Sequence, residues 1–472
     1  MLLWLLSCTS DGGSIHLSDG EPTDSPPPTR IGDTAVEGAP GVRDTSIGDT
    51  AEESGQAPPK VFLHLPVLQI EVEGPIHEDD KTAGSLRVVE DHDGTLENLG
   101  LAPAAYEGAI GIEVHGSSST GYPKIGFRFE CRDEAGDDVD CALVGLNEGH
   151  DYVLHAPYSD KSYVRNAVGY QLGRDVAATR GDYEVGSQFV ELFIGPNYLG
   201  VYLLVERVER EGDRLDIPPT TNPETSVVDG GFVVKIDQHR SDGFDTERGT
   251  PVDWSEPKAD EVSSSEYQYI KGWFDEMETV MASDEFADPA SGYPTWIDVD
   301  SFIDHWLLNE LTHNIDAYRL SAYLWTDGPP GTSLLHAGPL WDFDRAFGNV
   351  NYCDCWNTYG WIIDDLYTCG EGSQFPTWWL RLEGDSDYVS ARAARWRELR
   401  VDILSDDAIR GYTSLFADSL AESEPRDQEK WQTMGTYVDP NWYVGETWED
   451  ELIWFEEWTV SRAAWMDAQL RE

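Results

Sequence analysis

The chain has 472 residues, of which 32 are Lys or Arg and 89 are Asp or Glu, so its formal charge is −57. This charge disfavours a nucleic-acid-binding protein, which needs a net-positive face, and a protein that adsorbs to anionic lipid through a basic patch. The 40% of hydrophobic residues and the 18 Trp exclude a wholly disordered chain, because they can build a large core. The length suits two or three units, or one large two-lobed unit.

The first eight residues are mostly apolar but form a run too short to span a bilayer. Leu5-Leu6-Ser7-Cys8 resembles a lipobox, which predicts a lipoprotein-type signal over residues 1–8 and lipidation of Cys8; an arbitrary apolar start is the alternative. Residues 9–59 contain seven Pro and no Phe, Tyr or Trp, and this composition predicts a disordered acidic linker. We therefore expect an exported bacterial protein, secreted or held at the cell envelope by its lipid.

The other cysteines fit an exported protein. Cys131 and Cys141 flank a turn-rich stretch between apolar runs, which predicts a hairpin disulfide. Cys353, Cys355 and Cys369 allow one further disulfide, for which Cys369 is favoured, with one thiol left over. A zinc site is poorly supported there, because no His stands at ligand spacing beside the Cys-x-Cys pair.

From residue 60 the sequence predicts a folded α+β domain. Apolar runs and alternation predict strands at 61–72, 110–114, 125–130, 188–194, 199–206 and 231–236, and short strands at 321–325 and 334–340. Helical periodicity predicts helices at 264–281, 300–314, 386–420 and 447–470. The expected architecture for residues 60–472 is two-lobed, with a β-rich N-lobe (60–212), a mainly α C-lobe (213–472) and a ligand site between them.

Two N-lobe segments concentrate positive charge in a chain that has only eight Lys. The small-residue loop 116–124 ends in Lys124; a Gly/Ser loop followed by Lys can bind phosphate, although polar hairpin loops are common. In segment 158–166, Lys161 and Arg165 are predicted to lie one turn apart on a helix. A capped helix with a surface basic pair explains this segment equally well. With Arg128, these cations would form a cluster whose natural partner is an anion.

Three carboxylates stand in apolar surroundings in the second half of the chain. Asp316 follows the apolar helix predicted at 300–314, and Asp342 and Asp344 alternate with Trp341 and Phe343. Strand alternation would place the two carboxylates on one side and the two aromatic rings on the other. Oxygen-rich sites suit Mg²⁺, Mn²⁺ or Ca²⁺, so the segment predicts either the metal site of a phosphoryl-transfer enzyme or a structural Ca²⁺ site.

The order of these segments resembles the CotH-type kinases, the family of the spore-coat protein H kinase. The matching segments lie within residues 62–350, and their joint order is more specific than any one of them: 65–70, 116–119 with 123–124, 158–162 with 165–166, 189–193, 200–206, 309–310 with 314–316, and 338–344 with 347–349. The resemblance implies an atypical, two-lobed kinase-like fold that transfers phosphate from ATP to protein Ser or Thr with a divalent metal.

The resemblance also implies roles for individual residues. Asp316 is similar to the catalytic Asp, and Asp342 is similar to the metal-binding Asp. Asp344 would be a second metal ligand or a partner of Arg345. The residues predicted to bind the nucleotide, because they match family positions or lie beside them, are Lys124, Lys161, Arg165, Glu206 and Trp341.

The sequence thus predicts an ATP- and Mg²⁺- or Mn²⁺-dependent protein kinase that acts on exported or surface proteins, binds no nucleic acid, and is monomeric. The alternative is a catalytically inactive module of the same fold that serves in surface binding, adhesion or assembly. The alternative is favoured by Ile125, which stands where the family commonly has a second Lys.

Overall fold

The structure is a computed structural model that describes residues 64–78, 80–210, 213–221, 227–237, 242–329, 331–369 and 376–471. The lipidation predicted for Cys8, the linker predicted at 9–59 and the first residues of the strand predicted at 61–72 lie outside these residues. None of the helices in the described ranges is long and apolar enough to cross a membrane.

The N-terminal half forms a closed seven-stranded barrel. Its neighbours run in the order β1-β2-β3-β4-β5-β7-β6, and parallel pairing of β1 with β6 closes the ring. Alternate residues such as Phe127, Phe129 and Leu154 fill the inside, which leaves Arg128 on the outer face. The strands are β1 (Val67–Val72), β2 (Thr82–Val89), β3 (Tyr106–His115), β4 (Gly126–Arg132), β5 (Asp151–His155), β6 (Ser187–Ile194) and β7 (Asn197–Glu206).

A second, antiparallel sheet follows, with the strand order β12-β11-β8-β10-β9. Its strands are β8 (Phe232–Ile236), β9 (Gly243–Asp245), β10 (Pro251–Glu256), β11 (Ala322–Thr326) and β12 (His336–Ala337). The described helices are α1 (Arg165–Ala178), α2 (Ser264–Ala282), α3 (Val299–Thr312), α4 (Ile362–Thr368), α5 (Thr377–Leu382), α6 (Ser386–Leu399), α7 (Asp406–Leu420), α8 (Glu424–Trp431) and α9 (Trp448–Gln469).

One hydrophobic core joins the outer face of the barrel to the helices. Phe189 and Leu203 of the barrel belong to the same buried cluster as Trp306 of α3 and Phe455 of α9. Phe189, for example, packs edge-on against Phe416 of α7 at 5.9 Å between ring centroids. The core therefore continues across residue 212, where the sequence predicts the lobe boundary.

The predicted α+β class, with a β-rich half before a helical half, is confirmed. The barrel was not predicted, because its closure depends on pairing between β1 and β6, which are far apart in sequence. The helical region predicted at 386–420 contains two helices, α6 and α7, separated at Arg400–Ser405.

The predicted disulfide between Cys131 and Cys141 is present, and it holds the end of β4 to the loop before β5. A second disulfide joins Cys353 to Cys369, as favoured from the sequence. Cys355 is the remaining thiol among the described cysteines, and it is buried.

Candidate active site

Helix α3 ends in a turn that presents Asp316. The helix begins at the Asp298 side chain, which accepts the Ser301 N–H at 2.8 Å, and it ends at His313, whose φ of +50° is left-handed. The chain then turns back, and the Asn314 side-chain oxygen accepts the Asp316 N–H at 3.0 Å. Local hydrogen bonds therefore fix the backbone of Asp316.

Asp316 is a buried carboxylate with a cationic neighbour. It is 8% exposed, and its Oδ1 lies 3.4 Å from the Arg319 guanidinium. Burial raises the pKa of Asp316, Arg319 and Arg345 oppose the rise, and the charge of Asp344 adds to it. The site therefore holds a carboxylate whose affinity for a proton exceeds that of an ordinary Asp.

The segment that carries Asp342 and Asp344 is an extended loop rather than the strand expected from its alternation. The strand ends at Ala337, and Asp342 has a left-handed φ of +66°. Helix α1 holds this loop: the Tyr170 hydroxyl accepts the Asp342 N–H at 3.3 Å, and the Asn166 side chain accepts the Phe343 N–H at 2.6 Å. Left-handed backbone is costly for a residue with a side chain, so these contacts compensate a local strain.

The carboxylates of Asp342 and Asp344 nevertheless lie close to each other, as predicted from strand alternation, although the segment is not a strand. Burial raises the pKa of Asp342 well above its usual range, and Asp344, through its charge and a hydrogen bond, and Asp316 raise it further. Ser159 donates to Asp344 Oδ2 at 3.5 Å. Adjacent carboxylates that repel each other in a partly buried setting are a donor set suited to a hard divalent cation such as Mg²⁺.

The structure places the predicted phosphate lysine away from open solvent. The Lys124 side chain has 0% exposure, and its Nζ pairs with Asp427 Oδ1 of α8 at 2.6 Å. The ammonium also lies over the rings of Tyr163 and Tyr202 at 5.7 and 5.2 Å. Asp427 in turn accepts the Tyr163 hydroxyl at 2.8 Å, so Lys124 belongs to a buried brace between barrel and helices.

Lys161 and Arg165 also have protein partners. Lys161 Nζ donates to the Asn441 side chain, and burial lowers its pKa to about 8. Arg165 pairs with Asp160 at 2.5 Å, and Asp160 also accepts the Arg165 backbone N–H at 3.0 Å. Asp160 thus accepts the N–H of the first residue of α1, although the N-cap residue is Val164. The fourth predicted cation, Arg128, also has a protein partner, since it pairs with Glu113 at 2.5 Å. Direct contact of these cations with a nucleotide stays a prediction.

Glu206 and Trp341 differ in how much of the side chain is exposed to solvent. Glu206 is 1% exposed and braces the barrel, because it accepts the Tyr183 hydroxyl at 2.8 Å and the Gly186 N–H at 2.9 Å. Trp341 is half-buried, and its ring lies 5.9 Å from those of Tyr170 and Tyr323. Trp341 thus keeps part of its surface open beside Asp342.

Sequence reasoning missed Lys235 and Asp237 of the second sheet. Lys235 Nζ lies 2.9 Å from Asp237, and the charge of Asp237 acts on Asp316. Lys235 also lies near His115, whose pKa is lowered to about 3 by burial and by several cations, among them Arg128 and Lys235. These two residues could have been identified from the sequence, because they are the two charged residues in the apolar run Phe232-Val-Val-Lys-Ile-Asp237.

Comparison with known protein families identifies the class. The family model described as CotH kinase protein matches residues 112–466, which is most of the chain. The chain therefore belongs to the CotH kinase family. The match begins later than the resemblance found from the sequence and extends through the C-terminal helices to α9. No curated protein matches the chain.

Proposed function

We propose that this protein is an ATP-dependent protein Ser/Thr kinase in which Asp316 is the catalytic residue and Asp342 and Asp344 hold a divalent cation. The observation that carries the proposal is the convergence of these carboxylates on two loops joined by a hydrogen bond: the Asn314 side chain donates to the Asp342 carbonyl at 3.1 Å. Family membership supports the same chemistry.

Asp316 would act on the acceptor hydroxyl. As the hydroxyl oxygen bonds to the γ-phosphorus and the bond to the β-phosphate oxygen breaks, the Asp316 carboxylate would accept the hydroxyl proton. The raised pKa of Asp316 favours this proton transfer, while the charges of Arg319 and Arg345 oppose the rise. The hydrogen bond from Asp316 N–H to Asn314 holds the carboxylate in position.

The metal role follows from the donor chemistry of Asp342 and Asp344. A bound Mg²⁺ or Mn²⁺ would supply positive charge to the phosphates; Ca²⁺ has the same preference for oxygen. Asn166 and Tyr170 would keep both carboxylates aimed at the same point by holding the loop backbone. Asp344 can serve as a second ligand because its carboxylate lies beside that of Asp342.

The nucleotide would lie against Trp341 and the cations that face His115. Trp341 is half-buried beside the carboxylates, and its exposed part would stack on the adenine base. Lys235 and Arg128 would contribute positive charge toward the phosphates. Lys124, Lys161, Arg165 and Glu206 would support the site by bracing its walls.

We further propose that the barrel and the helical half act as the two lobes of a kinase-like fold. Two disulfides are typical of proteins in oxidising compartments, which supports export. Cys8 would carry the lipid anchor, the acceptors would be exported or surface proteins, and the enzyme would act as a monomer without nucleic acid.

A second candidate function is a binding module that keeps the fold without turnover. It is favoured by Ile125, which packs against the barrel core where the family commonly has a second Lys, and by the buried state of Lys124. Such a module would bind a nucleotide or an exported partner and transfer no phosphate.

The two functions are separated by transfer of ³²P from γ-labelled ATP to the protein itself and to a generic Ser/Thr acceptor protein, with Mg²⁺ or Mn²⁺. We expect labelling by the wild type and a loss of about 100-fold or more in Asp316→Asn, because removal of a general base typically costs that much. Asp300→Asn, an exposed carboxylate on α3, is the matched control and should label normally. Absence of labelling by the wild type would favour the binding module.

A further inference from the structure

A second polar cluster, which the sequence did not reveal, lies beside the Cys131–Cys141 disulfide. It consists of His150, the residue before β5, Asp151, the first residue of β5, and Glu209, which follows β7. One potential ligand atom from each of these residues lies within 4.8 Å of the others. The cluster combines an imidazole with two carboxylates, a donor set used by zinc.

The atoms of this cluster face one another at distances that suit an ion between them. His150 Nε2 lies 3.4 Å from Glu209 Oε2 and 3.8 Å from Asp151 Oδ2, both longer than a normal hydrogen bond. Asp151 is 0% and Glu209 1% exposed; Glu209 Oε2 has no hydrogen-bond partner, and Asp151 Oδ1 has none either but lies 3.6 Å from the Lys81 ammonium. Buried carboxylate oxygens without a partner are costly and are rare in folded proteins.

The spacing agrees with zinc coordination. Bonds of about 2.0–2.1 Å at tetrahedral angles separate neighbouring ligand atoms by about 3.3 Å, close to the distance between His150 and Glu209. Asp138 Oδ2 lies 4.0 Å from His150 Nε2 and 3.8 Å from Lys258 Nζ, and it is the candidate for a fourth ligand. Its side chain is 41% exposed, so the cluster opens to solvent on that side and an ion can enter there.

Neighbouring groups hold the donors in place. Arg207 donates to Asp151 Oδ2 at 2.8 Å, and Arg214 pairs with Glu209 through Oε1, which leaves Oε2 directed at His150. Carboxylates that bind metals are commonly held by such outer contacts. The charges of Arg207 and Arg214 also reduce the affinity for a dication, so we expect an exchangeable ion rather than an irreversibly bound one.

The backbone at Gly149 and His150 also contributes to the geometry of the cluster. Cys131 N–H donates to the His150 carbonyl at 2.9 Å, which ties the position of His150 to the disulfide. A Cβ on Gly149 would lie 2.5 Å from Glu209 Oε1, so a side chain at that position would push Glu209 away. The nearest atom would be Arg214 Cζ at 2.4 Å, so Gly149 leaves room for the Glu209–Arg214 ion pair.

We propose that His150, Asp151 and Glu209, completed by Asp138, form a zinc site that fastens the disulfide-closed loop to β5 and to the segment after β7. The imidazole nitrogen selects Zn²⁺ over Mg²⁺ and Ca²⁺, which prefer oxygen donors alone. The site is independent of the proposed kinase chemistry, since none of its ligands belongs to the candidate active site.

The test is calorimetric titration with ZnCl₂ of the full chain carrying Asp342→Asn and Asp344→Asn, so that the active-site carboxylates do not contribute. In this background we expect one Zn²⁺ per chain, unaffected by millimolar Mg²⁺. Adding His150→Gln or Glu209→Gln should weaken binding by at least about tenfold. His77→Gln, at an exposed histidine, is the matched control and should bind as the parent does.

Equal zinc affinity in His150→Gln and in the His77→Gln control would overturn the proposal, and so would the absence of zinc binding by the parent. If the two ligand variants do not fold, X-ray absorption of zinc on the wild type replaces them. One imidazole with oxygen neighbours would then support the site, and sulfur neighbours or no imidazole would contradict it.

Discussion

The side-chain amide of Asn314 donates a hydrogen bond to the carbonyl oxygen of Asp342 at 3.1 Å. This bond joins the turn after α3, which carries Asp316, to the loop that carries Asp342 and Asp344. Asn314 also accepts the Asp316 N–H, so one side chain sets the positions of both loops. The distance between the proposed catalytic residue and the proposed metal site therefore depends on Asn314.

Asn314→Ala should lower kcat strongly while it changes the free energy of unfolding little. Loss of the bridge would let the two loops drift apart, and displacement by about 1 Å can cost on the order of 100-fold in rate. Steady-state kinetics with a protein acceptor would measure the effect. Asn98→Ala, at an exposed asparagine far in sequence from Asn314, should leave kcat unchanged. Equal kcat values for Asn314→Ala and wild type would show that the bridge has no catalytic role.

Gly169→Ala should disturb the same site from helix α1. A Cβ at position 169 would lie 2.5 Å from Cδ2 of Phe343, so the ring must move together with the adjacent Asp342 and Asp344. We expect destabilisation of about 1–3 kcal/mol, typical of overpacking, and reduced binding of divalent cation. Gly272→Ala in α2 is the control, because nothing lies within 4 Å of its Cβ position and alanine favours a helix. If both variants keep wild-type stability, the close packing of Phe343 on α1 is wrong.

Asp342→Asn should stabilise the protein while it abolishes activity. The folded protein holds the Asp342 proton more tightly than the unfolded chain does, because the pKa of Asp342 is raised by burial, Asp344 and Asp316. Stability is therefore lost as the pH rises from about 4, the ordinary pKa of Asp, through the raised value. Asn removes this loss, and we expect a gain of about 1 kcal/mol that is larger at pH 8 than at pH 4.5.

Urea denaturation of both proteins at the two pH values, without divalent cations, checks this expectation. Added Mn²⁺ should then stabilise the wild type and not Asp342→Asn, because only the wild type keeps the full donor set. A variant less stable than the wild type at pH 8 would contradict the assignment of Asp342 as a strained, functional carboxylate.

Lys124→Met tests whether this lysine has a structural role. Its side chain is 0% exposed and paired with Asp427, so removing one partner leaves a buried charge and should cost about 3–5 kcal/mol. Lys271→Met is the control: Lys271 pairs with Asp275 at 2.7 Å within α2, where its side chain is 26% exposed, and its loss should cost about 1 kcal/mol or less. Well below the melting transition, the KM for ATP should change little. A large rise in KM with unchanged stability would instead restore the direct phosphate contact predicted from the sequence.

Features with a local signal were predictable from the sequence. Apolar periodicity located α3 to within two residues at each end, and Gly195 marked the hairpin between β6 and β7. Strand β2 gave no such signal, because it begins with the small or polar residues Thr82-Ala-Gly-Ser85. The pairing of β1 with β6, which closes the barrel, is a long-range contact that no local pattern encodes.

In the candidate site, too, the features with a local sequence signal were predictable and those that depend on distant residues were not. The grouping of Asp342 with Asp344 was predicted, although the left-handed backbone at Asp342 replaced the expected alternation. The protein partners of the cations gave no local signal because they are distant in sequence: Asp427 lies 303 residues after Lys124, and Asn441 lies 280 residues after Lys161. A scarce Lys in an acidic chain can thus serve a buried carboxylate rather than a ligand.

The most direct test of the central claim is phosphoryl transfer from γ-labelled ATP by wild type and Asp342→Asn across a Mn²⁺ titration. We predict that the wild type labels protein Ser or Thr in proportion to occupied metal, and that folded Asp342→Asn labels at least about 100-fold more slowly at every Mn²⁺ concentration. Equal labelling by the two proteins would contradict the metal site. No labelling by the wild type, together with no thermal shift on adding ATP and Mn²⁺, would contradict the kinase itself.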